Sequence, residues 1–298
     1  MARGFADGFA NYRAPWWLPG GNLQTIWAAL YARRGPGTPP RYRRERWDTP
    51  DGDFIDVDFA EPQRATKDDA GGASPPSPAR PMLVLFHGLE GSSHSHYAET
   101  FAAVAAARGW RFAVPHFRGC SGELNRTPRA YHSGDFEEIG WILARLRAQI
   151  DASEGGAGGI GGARPVVPLL VVGVSLGGNA LMRWAGEMGV EAARCVGAIA
   201  SVSAPLDLAA GGVAIGLGFN RLAYTRMFLK TMKPKALAKL DQFPGLFERE
   251  AMLRVRDLYT FDSLFTGPLH GFRDADDYWA RGSAKPYLHR IRVPALAL

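Results

Sequence analysis

The chain has 298 residues and a formal net charge of +6, with 46% hydrophobic and 21% charged residues. Such proportions belong to a globular protein that can bury a large core, and they exclude a disordered or fibrous chain. Two cysteines, Cys120 and Cys195, make no disulfide framework, so a reducing compartment and a cytoplasmic location are expected. Residues 1–13 carry scattered charge and no apolar run, and no secretory leader is read there.

In chain order, the basic excess comes first, in Arg33-Arg34 and in Arg41-Tyr42-Arg43-Arg44-Glu45-Arg46-Trp47. Arginines interleaved with aromatics suit nucleic acid or an anionic lipid surface, which makes peripheral lipid contact one reading. The preferred reading is a solvated edge strand whose charges discourage edge pairing. No nucleic-acid fold motif accompanies the patch, so no nucleic-acid partner is expected. Residues 53–60 alternate as a strand does. Residues 61–80 mix Pro, Ser, Ala and Gly with charge, and 152–164 are dominated by glycine; both read as surface loops. The apolar run 82–86 reads as a buried parallel strand. A helix over 98–108 ended by Gly109, a strand over 110–116, an amphipathic helix over 135–150 and strands over 168–174, 196–202 and 291–298 follow.

Strands alternating with helices predict an α/β chain: a mostly parallel sheet with helices on both faces. The stretch 196–220 has one charge, Asp207, but it is rich in Gly and Ala and broken by Pro205; it reads as a strand and loop rather than a membrane span. Between 207 and 285 the alternation breaks into a helical, aromatic-rich region, a candidate lid insertion. A single domain over 1–298 is expected, with an N-terminal extension and first strands in 1–60.

The chemistry centres on Gly173-Val174-Ser175-Leu176-Gly177, directly after the run 168–172. A strand, a tight turn and a helix around a serine form a nucleophile elbow, which exposes the Oγ at a helix N-terminus where partial positive charge favours a developing anion. The turn requires small residues on both sides. Ser175 is the candidate nucleophile. His87-Gly88-Leu89-Glu90-Gly91-Ser92 follows the strand 82–86, and its turn can aim the Leu89 amide at the site beside that of Leu176, forming an oxyanion hole. His87 is assigned to orienting that loop. The fold's order is nucleophile, acid, histidine, yet only His270 and His289 follow Ser175. A triad of Ser175, Asp207 and either histidine is conceivable. His94-Ser95-His96 has the i, i+2 spacing of metal ligands but no third ligand nearby, so no metal is expected, and no nucleotide-binding glycine motif is present.

These strings resemble the group-4 abhydrolase branch of the α/β-hydrolase superfamily, which holds bacterial predicted hydrolases and eukaryotic abhydrolase esterases and monoacylglycerol lipases. The resemblance rests on Pro15-Trp16-Trp17-Leu18-Pro19-Gly20-Gly21-Asn22-Leu23-Gln24-Thr25-Ile26, Thr49-Pro50-Asp51-Gly52-Asp53-Phe54, the His87–Ser93 turn and His116-Phe117-Arg118-Gly119-Cys120-Ser121-Gly122. It continues in Ala130-Tyr131-His132-Ser133-Gly134-Asp135, the Ser175 elbow through Asn179, Phe261-Asp262, His270-Gly271-Phe272 and Asp277-Tyr278. One departure is Asn22, where relatives usually carry histidine. The resemblance implies an α/β-hydrolase fold with a helical lid, no cofactor, and Ser175 as nucleophile with Leu89 and Leu176 at the oxyanion hole. It also implies hydrolysis of short- or medium-chain acyl or lipid-like carboxylic esters. The acid and base come after the strand corresponding to 291–298, so the remaining strand, helix and triad members are expected beyond Leu298. The competing reading is an inactive relative that binds an apolar ligand or partner.

Overall fold

The computed structural model describes residues 13–31, 39–61, 80–155 and 167–298. Arg33-Arg34 and nearly all of the two low-complexity segments lie outside the described residues, as does the start of the chain. The chain divides into two compact units at Gly37. In the first, helix α1 (Gly20–Tyr31) buries none of its residues. Trp17 meets Trp27 edge-on, with ring centroids 5.1 Å apart.

The second unit is built on one mixed sheet. Its strands are β1 (Tyr42–Asp48), β2 (Phe54–Ala60), β3 (Met82–Phe86), β4 (Arg111–Pro115), β5 (Leu169–Val174), β6 (Ala198–Val202) and β7 (Ala295–Ala297), in the order β1-β2-β4-β3-β5-β6-β7. The pairings β1–β2 and β2–β4 are antiparallel, and the rest are parallel. Helices α2 (His96–Ala107), α3 (Phe136–Gly155) and α4 (Leu176–Met188) connect the parallel strands. Because strand side chains alternate between faces, β3 feeds two cores. Met82, Val84 and Phe86 join Ile139, Ile142, Leu143 and Leu146 of α3 and Leu181 and Trp184 of α4. Leu83 and Leu85 join Ala98, Ala102 and Ala105 of α2 with Phe112 and Val114 of β4.

Between β6 and β7 lie α5 (Leu208–Ile215), α6 (Arg226–Gln242), α7 (Ala275–Gly282) and shorter turns, two of them π-helical at Arg221–Thr225 and Asp262–Thr266. This insertion has a core of its own, formed by Leu229, Ala236, Met252, Val255, Phe261 and Phe265. The apolar stretch from Val196 resolves into β6, a loop and α5. Among the described residues no helix is long and apolar enough to cross a membrane.

Two expectations need correction. The strand foreseen over 291–298 is only Ala295–Ala297, because Lys285–Arg290 coils into a 3-10 turn and Pro294 has no N–H to give a ladder. The basic strand β1 lies at the sheet edge, but its arginines are not simply solvated. Arg44 forks onto Asp58 with bonds of 2.7 and 2.8 Å, and Arg46 onto Asp56 with bonds of 2.8 and 2.9 Å. The polar positions of β2 are thus buried against neighbours rather than facing water.

Those carboxylates tie the sheet to its loops. Asp58 also accepts from Ser93 Oγ (2.6 Å) and lies 2.8 Å from His116 Nε2. Burial pushes the Asp58 carboxyl up, but Arg44, His116 and Ser93 outweigh it and hold it well below the ordinary range. Asp53 follows the same rule: against its burial, Asn125, Thr127 and the Arg126 and Phe54 amides bring it to about 2. Both groups bind more protons in the unfolded chain, so their stabilisation is complete above the ordinary carboxylate pKa of about 4 and is lost as pH falls through the folded values. These two carboxylates are therefore expected to steepen the fall of the thermal midpoint as pH drops from about 4 towards about 2. Midpoints indifferent to pH across that range would contradict this account.

Candidate active site

Ser175 sits between β5 and α4 with φ 51° and ψ −118°, a left-handed conformation that costs a non-glycine residue on the order of 1–3 kcal/mol. Neighbours over-determine it. Its amide donates to Val202 O at 2.9 Å, and its carbonyl accepts from the Gly178 and Asn179 amides at 2.9 and 3.2 Å. The flanking glycines are required by close approach. A Cβ on Gly177 would lie 2.5 Å from Phe86 O and 2.7 Å from His87 O, and one on Gly178 would lie 2.6 Å from Ser201 Oγ. Gly177→Ala must push α4 away from the end of β3; a loss of about 1–3 kcal/mol is expected from overpacking alone, read as a lower urea midpoint. A midpoint equal to wild type would show that the turn is looser than described.

The turn after β3 approaches the serine from the other side, and a Cβ on Gly88 would come within 3.2 Å of Ser175 Cβ. Two tyrosine hydroxyls fix this turn. Tyr97 accepts the Gly88 amide at 2.9 Å. Tyr131 accepts the Glu90 amide at 3.0 Å and donates to Glu90 Oε1 at 2.7 Å. Glu90 itself stands at φ 58°, with its other carboxylate oxygen 2.8 Å from Lys235 Nζ. The Gly91 amide turns back to Gly88 O. The amides of Gly88, Glu90 and Gly91 are thus all engaged, whereas those of Leu89 and Leu176 have no acceptor among the described residues. Unpaired N–H donors beside a serine are the raw material of an anion-stabilising pocket.

His87 is fully buried. Its Nδ1 donates to Gly88 O (2.8 Å) and its Nε2 accepts from the Phe117 amide (3.1 Å), the only tautomer those partners permit. Burial lowers it to about 3, and with both nitrogens occupied it orients the loop. The conceivable triad does not assemble. Asp207 caps α5 through Ala210 N and pairs with Lys285 Nζ at 2.9 Å. His270 points its two nitrogens at Thr266 O and Ala130 O, at 2.7 and 2.9 Å, and His289 lies on the surface. No described side chain hydrogen-bonds Ser175 Oγ.

Ser175, Leu176 and Leu89 line one cavity of about 180 Å³ whose far wall comes from the β6–β7 insertion, including Ile215, Phe228, Met232 and Trp279. Four titratable groups with shifted pKa values line it, and burial raises two of them, Tyr131 and Tyr278. His132 is lowered to about 3 by burial. Asp262 is raised to about 6 by burial, although Thr266 Oγ1 and Trp279 Nε1 donate to it at 2.7 and 2.8 Å. The sequence singles out neither as a site residue, because only the fold brings Asp262 of the insertion and His132 of the loop after β4 to one cavity. Asn179 was missed for the same reason. Buried one turn into α4, it donates to Ser133 O (2.8 Å) and Gly282 O (2.9 Å) and accepts from Ala284 N (2.9 Å), joining the insertion's exit to the serine helix. Among the described residues no group of three or more His, Cys, Asp or Glu side chains could hold a metal; His94 instead meets the Tyr42 ring edge-on.

A mostly parallel open sheet, helices on both faces and a serine in a left-handed turn at a parallel strand's carboxyl end define the α/β-hydrolase fold. The alpha/beta hydrolase family model matches residues 83–296, and the chain belongs to that family. It is 38% identical over 283 residues to an Escherichia coli (strain K12) protein named "Putative esterase YheT", covering 93% of this chain and 73% of that one. Human phospholipase ABHD3 is 24% identical over 87% of this chain, which spans 58% of its length. The monoacylglycerol lipase of Saccharomyces cerevisiae is 26% identical over 74% of the chain, which spans 47% of the yeast protein. The solved structure of a Mycobacterium tuberculosis puromycin-hydrolysing peptidase shares the fold with a TM-score of 0.50, at 19% identity over 88% of this chain and 32% of that one.

Proposed function

We propose that the protein is a serine hydrolase of carboxylic esters, acting on short- or medium-chain acyl or lipid-like esters through an acyl-enzyme on Ser175. The observation that carries this reading is the convergence of a strained serine and two unpaired amides on one largely apolar cavity. Ser175 Oγ attacks the ester carbonyl while its proton passes to a base. The negative charge on the carbonyl oxygen is held by the Leu89 and Leu176 amides and by the N-terminus of α4. The alcohol leaves, and water then releases the acid. The apolar walls suit an acyl chain, and the relatives' names (esterase, phospholipase, monoacylglycerol lipase) support ester chemistry.

The base and its orienting acid are expected from residues after Leu298. Leu298 lies at the carboxyl end of the sheet: its amide donates to Ser201 O (2.9 Å), and its carbonyl accepts from Ser203 N (2.8 Å), next to the strand end that holds Ser175.

Two measurements on the protein purified from its native source test the reading: hydrolysis of p-nitrophenyl esters of graded chain length, and the mass of the product with an alkyl fluorophosphonate. Hydrolysis and addition of one phosphonyl group at Ser175 are expected. Absence of both would leave the second reading, an inactive relative binding an apolar ligand in this cavity.

Tyr131→Phe removes both bonds that hold Glu90 at positive φ and so frees the amide next to it. A fall in kcat of about tenfold with little change in KM is expected, part of the roughly 10²–10³ that an oxyanion donor contributes. A change confined to KM would count against the role of this turn.

A further inference from the structure

Among the described residues of 39–298, five of the eleven exposed large hydrophobic residues fall inside fifteen positions: Val213, Leu217, Phe219, Leu222 and Met227, each 55–63% exposed. They belong to α5, the bend and short helical turn (Gly218–Asn220) after it, the π-helical turn and the start of α6. The inner side chains of the same segment, Ile215, Phe228 and Met232, line the Ser175 cavity. One thin wall therefore has the cavity on one side and an exposed apolar ridge on the other.

Its charge is one-sided. Residues 208–240 contain six basic residues (Arg221, Arg226, Lys230, Lys233, Lys235, Lys239) and no Asp or Glu. Three of these are spent inside the protein. Lys239 donates to Asn125 O and Thr127 O, Lys235 pairs with Glu90, and Lys233 bonds Leu253 O. Arg221, Arg226 and Lys230 are exposed and have no partner among the described residues. By contrast, Arg44 and Arg46 of the basic strand β1 are already held by Asp58 and Asp56.

We propose that this ridge docks the protein on an anionic lipid surface, with the five apolar side chains among the acyl chains and Arg221, Arg226 and Lys230 at the headgroups. Apolar residues interspersed with unpaired cations match that interface, with Asp257, beside Val213, Leu217 and Arg221, a carboxylate it must accommodate. A second copy of the chain is a poorer occupant, because a two-fold contact would set the same cations against each other. Each cation near an anionic surface strengthens binding about fivefold, so the three together contribute on the order of a hundredfold, weakened by salt. The proposal does not depend on the role of Ser175.

The test is flotation of the protein with vesicles of phosphatidylcholine alone and of equal parts phosphatidylcholine and phosphatidylglycerol. Binding to the anionic vesicles is expected, falling with salt and lost at least tenfold both in Leu222→Glu/Met227→Glu and in Arg221→Gln/Arg226→Gln. All four positions are exposed, and circular dichroism melts should match wild type. No binding to either vesicle overturns the proposal, as does binding that both double variants leave unchanged. It is equally overturned if light scattering shows a dimer that Leu222→Glu/Met227→Glu converts to a monomer, since the ridge would then join two copies.

Discussion

Ser175→Ala should lower ester hydrolysis by about 10⁴-fold or more while leaving the unfolding midpoint at or near its wild-type value. The first effect follows from the chemistry: without Oγ there is no acyl-enzyme, and the two amides and the cavity retain only the part of the rate due to binding and charge stabilisation. The second follows from the backbone. Ser175 Oγ bonds no described partner, so its removal breaks no hydrogen bond. Ser175→Gly goes further, since glycine adopts φ 51° without the cost a side chain incurs; it should be inactive yet as stable as wild type or more so. A variant that retained a tenth of the activity would remove Ser175 from the mechanism.

Arg118→Ala should cost about 3–5 kcal/mol, or roughly ten degrees in Tm for a domain of this size. The guanidinium is only 3% exposed and bonds Glu138 at 2.6 Å, Asp51 at 2.8 Å and Asp53 at 3.0 Å. Deleting it leaves the Asp53 and Glu138 carboxylates buried without their counter-charge. Asp53 also receives Asn125, Thr127 and the Arg126 amide, and this loop leads into Tyr131 at the cavity. The variant should therefore lose kcat as well as stability. Arg118→Lys keeps the charge but not the fork and should fall between the two. Calorimetry with parallel ester assays would check both; an unchanged Tm would mean that water already reaches the network.

The regular part of the fold was legible because it is local. Met82–Phe86 reads as an apolar run between turn signals, and the strand ending before Ser175 reads the same way. The glycines around Ser175 announce the tight turn, and the turn after β3 announces the second loop. What could not be read depends on partners far along the chain. The aspartates of β2 alternate with apolar residues and look solvent-facing, yet their hydrogen-bond partners lie 10 and 14 residues earlier on β1 and 58 residues later at His116. Tyr131 reaches Glu90 from 41 residues away. The π-helical turns, one of which sets Asp262 over the cavity, have no marker in periodicity.

The loop that carries Leu89 is suspended from both sides of the molecule. Tyr97 leans on the layer built by α2, and Tyr131 on the opposite layer built by α3 and α4. The alignment of that one amide is therefore a difference measurement between two independently packed halves, as a bridge deck registers the settling of either bank. Repacking one layer for heat resistance would displace one anchor and not the other, so rate should be lost in variants that grow sturdier. Matched changes in both layers should escape that penalty, and on heating, turnover should fade before the sheet itself gives way.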